Sequence, residues 1–286
     1  VINVFGYIKV KIMTQSSTSS VSRTSTDSIQ LRKGKLPLVC ITAYSAPMAG
    51  LFDDYADIIL VGDSLGMVLY GLPSTLQVSV EMMINHGAAV VRGSQKAFIV
   101  VDLPFGSYQT SPKDAFITAQ KVMSETGCNA IKIEGGKAMA ETVNFLVNRG
   151  IPVLGHIGML PQSFNQLGGY RVRGKTEETE SEIIQDANIL EEAGAFGIVI
   201  ESVVEHIAEK ITKNISIPTI GIGASVKCDG QIIVAEDILG MFSDFEPKFV
   251  KKYANLSPLI SKAVKNYADD VKDRKFPGKE HCYYKK

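Results

Sequence analysis

The chain has 286 residues, enough to bury a large core and close to the roughly 250 residues typical of a barrel built from eight βα units. Its 30 basic and 30 acidic residues leave no net charge to attract nucleic acid or an anionic membrane, and no apolar run approaches the ~18 residues a transmembrane helix needs. Four scattered cysteines (Cys40, Cys128, Cys228 and Cys282) form no CxxC pair, which argues against a zinc cluster and for a reducing compartment.

Residues 1–13 begin at Val1 and carry a short apolar stretch, with Met13 a candidate natural start. Thr14 to Ser28 is dominated by Ser and Thr and has no periodicity, so residues 1–28 are expected to be a disordered leader. A Ser-rich leader with Lys9, Lys11 and Arg23, and no acid before Asp27, also suits a transit peptide, although no amphipathic helix is evident. Cytoplasm is therefore the expected location and the mitochondrion its alternative. Residues 29–286 are expected to form a single catalytic domain.

From Ile29 onward, apolar β-branched runs alternate with stretches of helical period. Strand candidates start near Leu38, Ile58, Ala97, Ala130, Ile151, Phe196, Ile217 and Gln231. Between them lie helices near Ala49–Phe52, Val80–Val91, Lys113–Met123, Met139–Asn148, Thr179–Ala193 and Val203–Lys213. Ser111-Pro112 is a good N-cap and first-turn pair for the third of these. His86 sits within the second helix, where a lone histidine is most simply structural. A long Gly-, Pro- and amide-rich loop from Gly158 to Tyr170 invites a functional role. Residues 245–286 read as a terminal helix and a tail. Strands alternating with helices imply a parallel sheet, and the fold class expected is α/β, a single (β/α)8 barrel.

Polar residues stand where the apolar runs stop. The second run ends at Gly62-Asp63-Ser64, the third at Asp102, the fourth at Glu134, the fifth at His156 and the sixth at Glu201. Parallel strands put all their carboxyl ends on one face, so these residues should converge there, where such barrels carry their active sites. Asp63 and Ser64 could instead cap a helix, and the acidic groups could form ion pairs around the loops. Three carboxylates on one face repel one another unless a cation lies between them. A hard divalent ion such as Mg²⁺, taking one or two carboxylates and leaving positions for substrate oxygens, is the simplest answer, with Asp63, Asp102 and Glu134 as its set. Lys132 shares a strand face with Glu134 and can meet an anionic substrate group. A metal-chelated oxo-acid would become acidic at the adjacent carbon, and Glu201 is the candidate base. Gly221-Ile222-Gly223 lacks the third glycine of a dinucleotide fingerprint, but loops after the last two barrel strands often bind phosphate, so a phosphate-bearing ligand is an alternative.

Taken together, Ile41-Thr42-Ala43-Tyr44, Val61 to Met67, Asp102-Leu103-Pro104-Phe105, Lys132 to Gly136, Gly155-His156-Ile157-Gly158, Pro161-Gln162-Ser163, Gly168-Gly169-Tyr170, Gly221 to Ala224 and Asp229-Gly230-Gln231 resemble the ketopantoate hydroxymethyltransferase family, in order, from about residue 30 to Phe276-Pro277. The resemblance implies a barrel of the phosphoenolpyruvate/pyruvate type acting in pantothenate biosynthesis. It implies transfer of the one-carbon unit of 5,10-methylenetetrahydrofolate to 3-methyl-2-oxobutanoate through a Mg-stabilised enolate, giving 2-dehydropantoate. It further implies one Mg²⁺ per subunit on Asp63, Asp102 and Glu134, and substrate contacts from Asp63, Ser64, Asp102, Lys132 and His156. Glu201 would be the proton acceptor, and the assembly a homodecamer. The family often carries Gly-Ala-Gly-Asn where this chain reads Gly223-Ala224-Ser225-Val226. A lyase or mutase on the same barrel is the nearest rival, but the Lys-Lys-Cys-Gly-His run of the lyases does not occur. A non-catalytic barrel could dispense with the strand-end carboxylates, which are all present here.

Overall fold

A computed structural model describes residues 23–169, 171–242 and 247–284. Eight parallel strands close into a barrel in sequence order. They are β1 (Leu38–Thr42), β2 (Ile58–Val61), β3 (Phe98–Asp102), β4 (Ala130–Glu134), β5 (Val153–Gly158), β6 (Gly197–Glu201), β7 (Thr219–Ile222) and β8 (Gly230–Ile233). The ring closes through β8 and β1, where Leu38 lies opposite Gly230 and Cys40 opposite Ile232. β5 and β7 each begin two residues later than their apolar runs, after Pro152 and Pro218, because proline has no N–H to give the ladder.

Strand alternation divides the apolar residues into two cores. Ile58, Leu60, Phe98, Val100, Ala130, Leu154, Phe196, Val199 and Ile220 fill the barrel, with Phe98 and Phe196 edge to face at 5.4 Å between ring centroids. Their neighbours Ile59, Val61, Ile99, Val101, Ile131, Ile133, Ile198 and Ile200 point outward into a second core beneath the helices. The helices, in chain order, are α1 (Thr26–Gln30), α2 (Ala46–Phe52), α3 (Leu65–Val68), α4 (Val80–Gly93), α5 (Pro112–Thr126), α6 (Ala140–Val147), α7 (Phe164–Leu167), α8 (Glu177–Glu192), α9 (Glu205–Asn214), α10 (Ala235–Ile238) and α11 (Leu256–Lys272). Ser111 caps α5 with Pro112 in its first turn, as expected. Ser79 and Thr176 likewise cap α4 and α8.

Order begins before Ile29. Ser25 accepts the Ser28 N–H to cap α1, and Ile29 joins the barrel interior. The Arg23 guanidinium donates to the carbonyls of Ser94 (2.5 Å) and Ala97 (2.9 Å). Residues 23–28 are therefore folded onto the barrel; composition suggested a leader, but an N-cap serine and one arginine override it. The rest of the proposed leader, residues 1–22, lies outside the described residues, as does Tyr170. The long loop after β5 is not irregular throughout, since Pro161–Ser163 forms a 3-10 turn that runs into α7. All four cysteines are free; Cys40, Cys128 and Cys228 are buried and Cys282 is exposed. Among the described residues no helix is long and apolar enough to cross a membrane.

Candidate active site

The inward positions of the strands continue to the barrel mouth. Asp102 lies two residues beyond Val100, Lys132 and Glu134 two and four beyond Ala130, His156 two beyond Leu154, and Glu201 two beyond Val199, so each inherits the inner face. Register then makes neighbours of them: Asp102 is opposite Lys132, and Glu134 opposite His156. Asp63 and Ser64 follow the end of β2. Neither caps α3; Ser64 occupies the cap position without a side-chain hydrogen bond to it. All seven expected residues line one cavity of about 140 Å³, which also takes apolar wall from Leu60, Val199, Ile222, Ile232 and Phe249. That volume suits a small acid and falls well below the roughly 300 Å³ or more of pockets that hold larger ligands.

Lys132 Nζ is 3.1 Å from Asp102 Oδ1 and 4.0 Å from Glu134 Oε1. Burial works against this ammonium, but Asp102, Glu134 and Asp63 outweigh it and raise its pKa. His156 places Nδ1 3.4 Å from Glu134 Oε1 and Nε2 3.2 Å from Glu201 Oε2. Burial and the Lys132 charge oppose protonation of this ring; the Glu134 and Glu201 carboxylates prevail, and its pKa is pushed up to about 9. Burial, then the Asp102 and Glu134 charges, raise the Asp63 carboxyl well above the usual carboxylate range. Burial also raises Asp102 despite Lys132. Burial of Glu134 is outweighed by His156, Lys132 and the Gln162 N–H, so that carboxyl is held low.

Three residues outside the expected set complete the site. The Gln162 side chain, buried, donates through Nε2 to Asp63 Oδ2 (2.8 Å) and to the Leu103 carbonyl (2.9 Å), while its backbone N–H donates to Glu134 Oε2 (3.0 Å). The Tyr108 hydroxyl donates to Gln162 Oε1 at 2.7 Å and accepts the Glu134 N–H at 3.0 Å. The Tyr44 hydroxyl meets Ser64 Oγ at 2.8 Å. Glutamine and tyrosine on loops carry no periodic signal; Tyr44 and Gln162 stand within the motifs that carry the family resemblance, but nothing in those motifs shows what they touch. His86 is structural, as expected: Nδ1 is 2.6 Å from the Tyr44 carbonyl and Nε2 2.9 Å from the Tyr70 hydroxyl.

The donor set fits a hard cation. Asp102 Oδ1 and Glu134 Oε1 are buried without a well-formed hydrogen bond, their contacts with Lys132 and His156 being off-axis ion pairs. Among the described residues, however, no three His, Cys, Asp or Glu side chains are spaced to hold a metal by themselves. Asp63, Asp102 and Glu134 thus share one cavity without forming a closed cage, an arrangement that suits Mg²⁺, which keeps positions for water and substrate. The Gly221–Gly223 turn lends Ile222 to the wall and packs beneath Phe249, whose ring a Cβ on Gly223 would approach to 2.8 Å.

Solved structures share the fold at low identity. A phosphonopyruvate hydrolase matches with a TM-score of 0.58 and 12% identity over 92% of each chain. A 2,3-dimethylmalate lyase of the PEP mutase/isocitrate lyase superfamily matches with a TM-score of 0.55 and 13% identity, over 90% of this chain and 87% of its own. The 3-methyl-2-oxobutanoate hydroxymethyltransferase of Paramagnetospirillum magneticum is 56% identical over 92% of this chain and 96% of its own length. Its namesake from Rhizobium rhizogenes is 53% identical over 95% and 99%. The ketopantoate hydroxymethyltransferase family model matches residues 23–279. By this family match and these relatives, the chain belongs to the ketopantoate hydroxymethyltransferase family.

Proposed function

We propose that the barrel mouth performs the family's reaction, 3-methyl-2-oxobutanoate hydroxymethyl transfer in pantothenate biosynthesis, with Glu201 as the base. The observation that carries this assignment of roles is the single small cavity that gathers Asp63, Ser64, Asp102, Lys132, Glu134, His156 and Glu201 beside an apolar wall. The keto acid's carboxylate and keto oxygen belong on the side of Asp63, Asp102 and Lys132, and its isopropyl group against Leu60, Val199 and Ile222. Asp63 and Asp102, with Glu134, would hold Mg²⁺. When bound, that ion polarises the keto carbonyl and makes the C3–H more acidic. Lys132 neutralises the substrate carboxylate, and Ser64, steadied by Tyr44, donates to a substrate oxygen. Glu201 takes the C3 proton, and His156 beside it balances the carboxylate's charge. The C3 carbon, freed of its proton, bonds to the methylene carbon of 5,10-methylenetetrahydrofolate; that carbon's two C–N bonds break with protons returning to the folate nitrogens, water supplies the hydroxyl, and 2-dehydropantoate and tetrahydrofolate leave.

The homodecamer that the resemblance implies is part of this proposal. Support for assembly comes from α11, which buries none of its residues and leaves Leu259, Ile260, Val264, Tyr267 and Val271 exposed. The direct test of the activity is folate-dependent ketopantoate formation with and without EDTA. Formation that EDTA abolishes and Mg²⁺ restores is the expected result; metal-independent formation would overturn the metal role.

A further inference from the structure

The keto-acid cavity is too small for a folate, so most of the co-substrate must lie outside it. The carbon that loses its proton to Glu201 is also the carbon that receives the one-carbon unit. The folate must therefore enter beside Glu201, over the rim formed by the segments that follow β5 and β6. One basic segment runs along that rim. The Arg173 N–H donates to the Ser202 carbonyl at 2.8 Å, one residue beyond Glu201, and the Arg173 carbonyl accepts the Val204 N–H at 3.1 Å. Gly174 (φ +84°) pins the segment down between the outer helices; a Cβ there would lie 2.4 Å from Ile207 Cδ1.

Arg171, Arg173 and Lys175 alternate along this stretch and, with Thr176 and Thr179, line a second cavity of about 190 Å³. Arg171 and Lys175 are exposed and pair with no carboxylate among the described residues. Arg173 keeps a buried Nε without a hydrogen-bond partner, and its nearest carboxylate, Glu182 Oε2, is 3.7 Å from Nη2. The glutamates that open α8 do not line the cavity, and Glu180 is engaged by Lys210 at 3.1 Å and His206 at 3.7 Å. Three cations around one recess, two of them paired with no carboxylate among the described residues and the third with one no nearer than 3.7 Å, call for an anionic ligand. Guanidinium forks match carboxylates in particular.

We propose that Arg171, Arg173 and Lys175 form the subsite for the glutamate carboxylates of the folate co-substrate, with the pterin end directed toward Glu201. The inference rests on the placing of the reaction at Glu201. A folate suits it by construction: its reactive methylene and its carboxylates lie at opposite ends of the molecule, with the aminobenzoyl group between them. The subsite must then stand off the reacting carboxylates, as this one does.

The test compares two donors, methylenetetrahydrofolate and methylenetetrahydropteroate, which lacks the glutamate. In Arg171→Gln/Lys175→Gln, KM for the folate should rise roughly 3–30-fold, the loss of two exposed charge pairs. KM for the pteroate should stay at the parent value, and the charge-keeping Arg171→Lys/Lys175→Arg should restore KM for the folate. The same loss with both donors, or a loss with neither, overturns the proposal; a loss with neither is also what a free inorganic anion in the recess would give. Exchange of the C3 deuteron of 3-methyl-2-oxobutanoate in the parent enzyme needs no folate. It therefore tests the Glu201 assignment separately.

Discussion

His156 stands between two carboxylates that belong to different strands, with Nε2 3.2 Å from Glu201 Oε2 and Nδ1 3.4 Å from Glu134 Oε1. The ring thus ties the proposed base to the proposed metal side of the cavity. Glu201→Gln keeps size and polarity while removing the base. It should lower C3 deuteron exchange by roughly 10²–10⁴-fold. NMR of the keto acid in water measures this without folate. Exchange at the parent rate would exclude Glu201 as the base and make His156 the next candidate.

Asp63→Ala and Asp102→Ala should each abolish Mg²⁺-dependent turnover, a loss of at least roughly 100-fold, while leaving the fold intact, because both side chains line the cavity at the barrel mouth and belong to neither apolar core. Calorimetric titration with Mg²⁺ reads the cause. A variant that keeps the parent's affinity has not lost a ligand.

Gln162 donates from one loop position to both Asp63 and Glu134. Gln162→Leu leaves Asp63 Oδ2 and Tyr108 without their partner. Mg²⁺ affinity should weaken by about 10–100-fold, as removal of groups that orient metal ligands typically does. Melting alone would not separate a structural role from a positioning one, so the metal titration decides. Unchanged affinity would reduce Gln162 to a packing residue.

Asp229 lies at the opposite end of the barrel. It accepts the N–H groups of Gly34 (2.8 Å) and Thr219 (2.9 Å) and pairs with Lys33 Nζ at 2.9 Å. Burial opposes its ionisation, but these donors outweigh burial and hold the carboxyl below its usual range. A depressed native pKa contributes stability above the unfolded-state value of about 3.9, and that contribution is lost as pH falls through the native value. Asp229→Asn should cost about 1–3 kcal/mol near neutral pH. Urea unfolding of both proteins should show the gap narrowing below about pH 4. A gap independent of pH would mean that the charge is not what stabilises.

The exposed apolar stripe of α11 leads to the last expectation, that the protein is a large homo-oligomer at working concentration. Light scattering that returned a monomer would overturn it.

The sequence by itself determined the barrel and most of the site's inner ring. Alternation of β-branched runs with helical stretches is a local property, and so is strand parity. Once Val100, Ala130, Leu154 and Val199 face inward, Asp102, Lys132, Glu134, His156 and Glu201 must follow. Parity stops where a strand stops, and β2 ends at Val61. Strict alternation would have turned Asp63 outward; the chain's turn after Gly62 and the Gln162 side chain brought it into the cavity instead. Tyr44 and Gln162 stood within the resemblance motifs, but their contacts, and those of Tyr108, were not legible, since contacts between loops distant in sequence leave no local pattern. The serines before Ile29 misled because composition speaks of the average segment, whereas Ser25 and Arg23 act singly. Which side chains reach which partners was decided by closure of the barrel, which sets residues nearly a hundred positions apart, such as Asp63 and Gln162, within a hydrogen bond.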